Sequence, residues 1–272
     1  MTPIPPIFVS HGAPTLAIED VPARHFLEGL AALLPRPRAI LAVSAHWETA
    51  APSVNAVAVN DTIHDFRGFP EELYQLRYPA PGSPLVAGEV AELLDDAGLE
   101  CRVDEERGLD HGAWVPLILA YPDAHIPVVQ LSIQTALGPG HHYHLGRALE
   151  PLTRDDVLIM GSGSFTHDLS ILRPSSGQGF GSATEEPEWV RSFAEWMDRA
   201  ILDDRIGDLL AYRRLAPNAE RNHPTEEHLL PLFVALGAAG ENPRAERLHS
   251  SVSHGVLRMD AYRFVPPFEP NR

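Results

Sequence analysis

The sequence predicts an α/β fold, a single domain over 1–272 with a central, mostly parallel or mixed β-sheet flanked by helices. Three observations carry this. Short β-branched runs alternate with helical periods along the chain. The run Ala39-Ile40-Leu41-Ala42-Val43 is apolar without a break, as in a strand covered on both faces. The 272 residues are 44% hydrophobic and 21% charged, enough to bury a substantial core in one large unit.

The elements follow in order. Ile7-Phe8-Val9 is the first strand. A helix is expected over 20–34, with Asp20 as N-cap, Pro22 in the first turn and Phe26, Leu27, Leu30, Leu33 and Leu34 on one face. Strands at 39–43 and 54–59 come next. Ser83-Pro84 opens a helix that Gly98 closes, with Val86, Val90, Leu93 and Leu94 as its apolar stripe. A strand over 99–103, a helix over 113–121, a strand over 126–131 and a helix over 142–152 continue the alternation. The strand at 156–160 runs into Gly161-Ser162-Gly163-Ser164. The Gly- and Ser-rich stretch 173–185 reads as a long loop, and a helix spans 188–203. Thr225 reads as the N-cap of another helix, with Glu226 and Glu227 in its first turn. Strands at 247–252 and 256–264 end the fold.

Composition narrows the function. The formal charge of −16 lacks the Lys/Arg footprint that nucleic acid or an anionic membrane requires. No apolar run reaches the ~18 residues of a membrane span, and the N-terminus has no signal-peptide pattern. The one cysteine, Cys101, excludes an intrachain disulfide and a thiolate metal cage, and reads as a small strand residue. A cytoplasmic location is expected, and self-assembly of the chain is compatible with the sequence. The 26 prolines are scattered, which suggests rigid loops. With 14 histidines, His, Asp and Glu are the available metal ligands.

The placement of the histidines is the main functional signal. His11 follows the first strand, His46 follows the strand at 39–43, and His167 lies just past the strand at 156–160. His111 precedes a helix in Leu-Asp-His-Gly-Ala-Trp. Ligands of open α/β sheets bind outside the carboxyl ends of the strands, so histidines at three such ends can converge on one cavity. Gly12, Gly112, Gly161 and Gly163 lie beside them, where backbone can come close to a ligand. His228 falls in Pro-Thr-Glu-Glu-His-Leu-Leu-Pro, where a neutral metal-bound imidazole avoids the penalty that a cation meets at a helix N-terminus. Glu226 and Glu227 read either as favourable helix-dipole charges or as carboxylate ligands, and adjacent helical residues would point about 100° apart. The run at 161–164 fails the Gly-x-Ser-x-Gly pattern of a serine hydrolase. His141-His142-Tyr143-His144 reads as a solvated helix start. Asp65 and Asp168 read either as loop caps or as carboxylates that orient a histidine. Arg67, Arg77 and Arg173 read as surface charge that could meet a substrate carboxylate.

Together these motifs resemble the class III extradiol ring-cleaving dioxygenases, in the branch that contains the DOPA dioxygenases of plants and their bacterial relatives. The matching stretches are Ser-His-Gly-Ala-Pro at 10–14, Val-Ser-Ala-His-Trp at 43–47 and Ile-His-Asp-Phe-Arg-Gly-Phe-Pro at 63–70. They continue with Tyr-Pro-Ala-Pro-Gly at 78–82, Leu-Asp-His-Gly-Ala-Trp at 109–114 and Pro-Val-Val-Gln-Leu-Ser-Ile at 127–133. Gly-Ser-Gly-Ser-Phe-Thr-His-Asp-Leu at 161–169 and Pro-Thr-Glu-Glu-His-Leu-Leu-Pro at 224–231 complete the set.

The resemblance implies that His11, His46 and His228 bind a metal. It implies that His167 is a nearby acid/base that can also approach or ligate the ion, and that His111 contacts substrate or supports the site. Other members of the class use two His and a carboxylate, so Glu227 and His228 compete for the third ligand position, and His228 is favoured. The implied activity uses Fe(II), with a catechol and O2 as substrates and a semialdehyde acid as product. A histidine suits the two proton transfers this chemistry needs, one from the catechol hydroxyl and one that assists O–O cleavage. Three neutral imidazoles also suit Zn(II), which the isolated protein could carry. That raises a rival, a zinc hydrolase using metal-bound hydroxide. A second rival is a non-enzymatic Memo-type binding protein, against which the presence of both His111 and His167 argues.

Overall fold

The computed structural model describes residues 3–171 and 185–266. The strands are β1 (Ile7–Ser10), β2 (Ala39–Glu48), β3 (Ser53–Asn55), β4 (Arg102–Asp104) and β5 (Val128–Ile133). They continue with β6 (Val157–Gly163), β7 (Arg244–His249), β8 (Val252–Ser253), β9 (Leu257–Arg258) and β10 (Ala261–Val265). The helices are α1 (Pro22–Gly29), α2 (Glu71–Gln75), α3 (Pro84–Asp96), α4 (His111–Ala120) and α5 (Gly138–Arg154). After them come α6 (Glu188–Leu202), α7 (Ile206–Leu210), α8 (Tyr212–Leu215), α9 (Ala219–Asn222) and α10 (Leu230–Ala238).

Eight strands form one mixed sheet in the order β4-β3-β5-β2-β6-β1-β10-β7, and β8 with β9 makes a small hairpin. The central four, β5, β2, β6 and β1, are mutually parallel, so their carboxyl ends open on one edge. Antiparallel pairings begin at β3 on one side and at β10 on the other. The expected α/β class with a mostly parallel centre is therefore the observed one.

Period-two alternation sorts the strand residues into two cores. Leu41, Val43, Val129, Leu131, Val157 and Ile159 face one side, packed with residues of α3, α5, α6 and α10. Ile40, Ala42, Val128, Leu158 and Met160 face the other, with α1 and α4. The helix α10 is buried along its whole length, which explains why its sequence is apolar all round instead of amphipathic.

Several sequence expectations shift. Ser83 caps α3 as expected, its hydroxyl accepting the Val86 N–H at 3.2 Å. The first helix instead begins at Pro22 with Val21 as N-cap, and its last turn tightens into a 3-10 turn at Leu30–Leu33. Thr225 caps no helix. Residues 224–229 form bends and turns, and α10 starts only at Leu230, with Pro231 in its first turn. His142 is not at a solvated helix start. Helix α5 begins at Gly138 and buries His142 completely. Cys101 is free and half-buried, just before β4. Of the expected 173–185 loop, all but Glu185 lies outside the described residues, as does Arg173.

Candidate metal centre

Each central histidine is delivered by the end of an element. His11 leaves β1, and its N–H donates to the Gly163 carbonyl of β6 at 2.9 Å. His46 lies in the last turn of pleat in β2, within the stretch where its register against β5 shifts. Such irregularities re-aim side chains at strand ends. His228 stands in the turn before α10, its carbonyl accepting the Ser164 N–H at 2.8 Å.

The three rings converge. His46 Nε2 is 3.1 Å from His11 Nε2 and 3.3 Å from His228 Nε2. Two imidazole nitrogens each about 2.1 Å from one ion would stand roughly 3.0–3.4 Å apart at octahedral or tetrahedral angles. The outer nitrogens fix the tautomers. Ser162 donates its hydroxyl proton to the Gly112 carbonyl, so its oxygen is free to accept from His11 Nδ1–H at 3.0 Å. His228 Nδ1–H donates to Glu227 Oε1 at 3.0 Å. Both rings therefore turn a bare Nε2 lone pair inward, as metal-ligating histidines do when their other nitrogen is engaged. His46 Nε2 faces both of these lone pairs at 3.1 and 3.3 Å, a spacing that one shared cation fits. Glu227 Oε1 lies on the Nδ1 side of His228 and is not part of the group formed by His11, His46 and His228.

Two further histidines flank the triad. The His167 ring stacks on His228 with centroids 3.4 Å apart and planes at 16°. The His167 backbone N–H donates to the Asn222 carbonyl at 2.8 Å, and its ring Nδ1 is 3.9 Å from Glu227 Oε1. His111 is the first residue of α4, with its ring centroid 3.9 Å from that of His46. Its Nδ1 and its backbone N–H both donate to Asp65 Oδ1. Ligand-type atoms thus cluster in three groups among the described residues, namely His11, His46 and His228; His46, Asp65 and His111; and His167, Glu227 and His228.

Burial keeps the imidazoles of His11, His46, His167 and His228 neutral. It pushes His11 and His228 well below the ordinary histidine range, helped by the neighbouring rings. It lowers His46 to about 3 and His167 to about 4. Burial opposes ionisation of Asp65, but the hydrogen bonds from His111 win and hold its carboxyl at about 2. Neutral nitrogen donors with carboxylates one layer out suit a divalent cation of the Zn or Fe type.

Gly112 shows how tightly the centre is assembled. A Cβ there would lie 2.4 Å from Ser44 Oγ, 2.9 Å from His46 Cδ2 and 3.2 Å from His11 Cε1. At Gly163 a Cβ would lie 2.0 Å from the His228 carbonyl oxygen. These two glycines are needed for close approach, not for a ligand-facing turn.

All five singled-out histidines therefore meet in one place. Asp168 caps the local loop, accepting the Ser170 N–H at 2.9 Å, and its charge also bears on His167. Other residues do not join them. Arg67 and Arg77 are exposed, and Arg77 donates to the Tyr74 and Leu76 carbonyls. His141 pairs with Gln134. Sequence reasoning missed Ser44, Ser162 and Asp110. Their only signal was position, one or two residues from a singled-out histidine or glycine. No helix among the described residues is long and apolar enough to cross a membrane.

The family described as the catalytic LigB subunit of aromatic ring-opening dioxygenase matches residues 5–265. A Beta vulgaris protein named 4,5-DOPA dioxygenase extradiol is 48% identical over 262 residues, covering 95% of each chain. A Mirabilis jalapa protein of the same name is 43% identical, covering 95% of this chain and 96% of its own. The crystal structure of an uncharacterised Escherichia coli K12 protein superposes with a TM-score of 0.76 at 31% identity, covering 96% of this chain and 99% of that one. The chain belongs to the LigB family of class III extradiol dioxygenases, metal-dependent oxidoreductases that open an aromatic ring.

Proposed function

We propose that the whole chain is one catalytic domain in which His11, His46 and His228 hold Fe(II), and that its substrate is a DOPA-like catechol. The convergence of three Nε2 atoms at 3.1 and 3.3 Å carries the ligand assignment. The names borne by the two plant relatives support the DOPA-type ring and cleavage beside the diol. Fe(II) held by these three residues would supply a relay through which electron density from a deprotonated catechol reaches O2.

The protein's own groups would handle the protons. A neutral His167, with Nδ1 turned towards Glu227, leaves Nε2 to take the proton of a catechol hydroxyl and later return it. Burial keeps the His167 ring neutral at pH 7, so one ring nitrogen is free to accept a proton. His111, held by Asp65 through Nδ1–H, keeps Nε2 for hydrogen bonding with substrate oxygen. The aromatic ring of Phe66, edge-on to His111 at 5.7 Å, offers an apolar flank to the catechol. The family match favours ring opening over the zinc-hydrolase and binding-protein readings. Zn(II) remains a metal that the same three imidazoles would accept. A cytoplasmic setting belongs to this proposal.

Metal-stripped protein reloaded with Fe(II) without air should consume O2 with DOPA and give a yellow product that carries both oxygen atoms of labelled O2. Full loading without O2 uptake on DOPA or any related catechol overturns the proposal.

A further inference from the structure

We infer that Asp110 is a positioning residue for the metal centre, acting on His46 through Ser44. The inference rests on the proposed His11, His46 and His228 ligand set.

Asp110 is completely buried, and its two oxygens receive four donors. Oδ1 accepts the Ser44 hydroxyl at 2.6 Å and the Ala113 N–H at 3.2 Å. Oδ2 accepts from Gln130 Nε2 and, at 3.1 Å, from Arg107 Nη2. The carboxylate therefore joins β2, β5 and the first turn of α4. Both connections to β2 flank His46. Ser44 Oγ accepts the His46 N–H at 3.2 Å. The Arg107 guanidinium lies 4.5 Å over the ring of Trp47, the residue after His46. The turn that Asp110 caps carries His111, and its Gly112 carbonyl accepts the hydroxyl of Ser162, which orients His11.

Helix capping alone does not explain this arrangement. A cap needs one acceptor oxygen, and Asn serves as well as Asp. A buried ion pair adds little stability over well-packed apolar groups. Four donors on one buried carboxylate hold the backbone that carries a ligand histidine, and loss of outer groups that orient metal ligands typically costs about 10–100-fold in metal affinity or activity.

Two variants separate the roles. Ser44→Ala cuts the link to His46 and leaves the cap. Asp110→Asn keeps a cap but offers one acceptor oxygen to four donors. Stripped parent and variants are titrated with Co(II) alone, following visible absorption, and thermal midpoints are recorded beside the affinities. The Co(II) Kd should rise at least about threefold, and nearer tenfold, in both variants, with an altered visible spectrum. In Ser44→Ala the metal-free melting temperature should fall no further than the loss of one buried hydroxyl and its hydrogen bonds accounts for. A smaller rise, or the parent's spectrum, in either variant overturns the inference while the ligand reading stands. A parent that takes up no Co(II) overturns both. Should Asp110→Asn fail to fold, Ser44→Ala decides alone.

Discussion

Asp65 Oδ1 accepts two hydrogen bonds from the same residue, one from the His111 backbone N–H at 3.0 Å and one from its ring Nδ1–H at 2.9 Å. The pair fixes both the tautomer of His111 and the direction of its ring. The other oxygen, Oδ2, lies 3.8 Å from His46 Nδ1, so one carboxylate faces a proposed ligand and its neighbour. Asp65→Asn should lower kcat by about 10–100-fold while one metal per chain is retained. Elemental analysis beside steady-state rates checks this, and an unchanged kcat would rule out the orienting role.

His167 stacks on His228, and its ligand-type nitrogen groups with Glu227 and His228 and not with His11 and His46. His167→Ala should therefore keep the metal and lose about 10²–10⁴-fold in turnover, the range a positioned acid/base supplies. Loss of the metal in this variant would instead make His167 a ligand.

Gly112→Ala places a methyl group against Ser44, His46 and His11 at once. Overpacking of this kind costs about 1–3 kcal/mol. The strain falls on two proposed ligands, so metal affinity should drop together with the thermal midpoint. Parent-like values for both would show that the first turn of α4 can shift freely.

His142 gives a pH prediction remote from the metal. Its Nδ1–H donates to the Gly138 carbonyl at 2.7 Å and its Nε2 accepts the Gln134 N–H at 3.1 Å. A second proton would set N–H against N–H in a buried site, and burial lowers the group to about 4. The unfolded chain takes up this proton near the ordinary 6.5, so the neutral form's contribution is complete above pH 6.5 and is lost as pH falls towards 4. The loss should reach about 3 kcal/mol. Denaturant unfolding of the stripped protein at pH 7 and pH 5 should show a steeper fall in the parent than in His142→Gln. Equal slopes would contradict the linkage.

Much of the architecture was legible because it rests on local pattern. The apolar strand at 39–43, the Ser83 cap and the strand-end positions of His11, His46 and His167 need only period and turn chemistry to be read. What escaped depends on tertiary pairing. Thr225-Glu226-Glu227 has the composition of a helix start, yet the chain there stays in turns, and the His228 carbonyl meets the Ser164 N–H. The adjacency of Glu227 and His228, read on a helix as divergent, becomes a direct hydrogen bond once the segment is a turn. Ser162 looked like a failed nucleophile elbow and instead orients His11. The short helices α7, α8 and α9 carry too few turns to show a period.

The central claim is that one metal sits among His11, His46 and His228. Anomalous scattering at the iron edge, from crystals of Fe(II)-loaded protein grown without air, tests it directly. The account predicts a single peak about 2.1 Å from all three Nε2 atoms. A peak in either flanking group, with His46, Asp65 and His111 or with His167, Glu227 and His228, would contradict it.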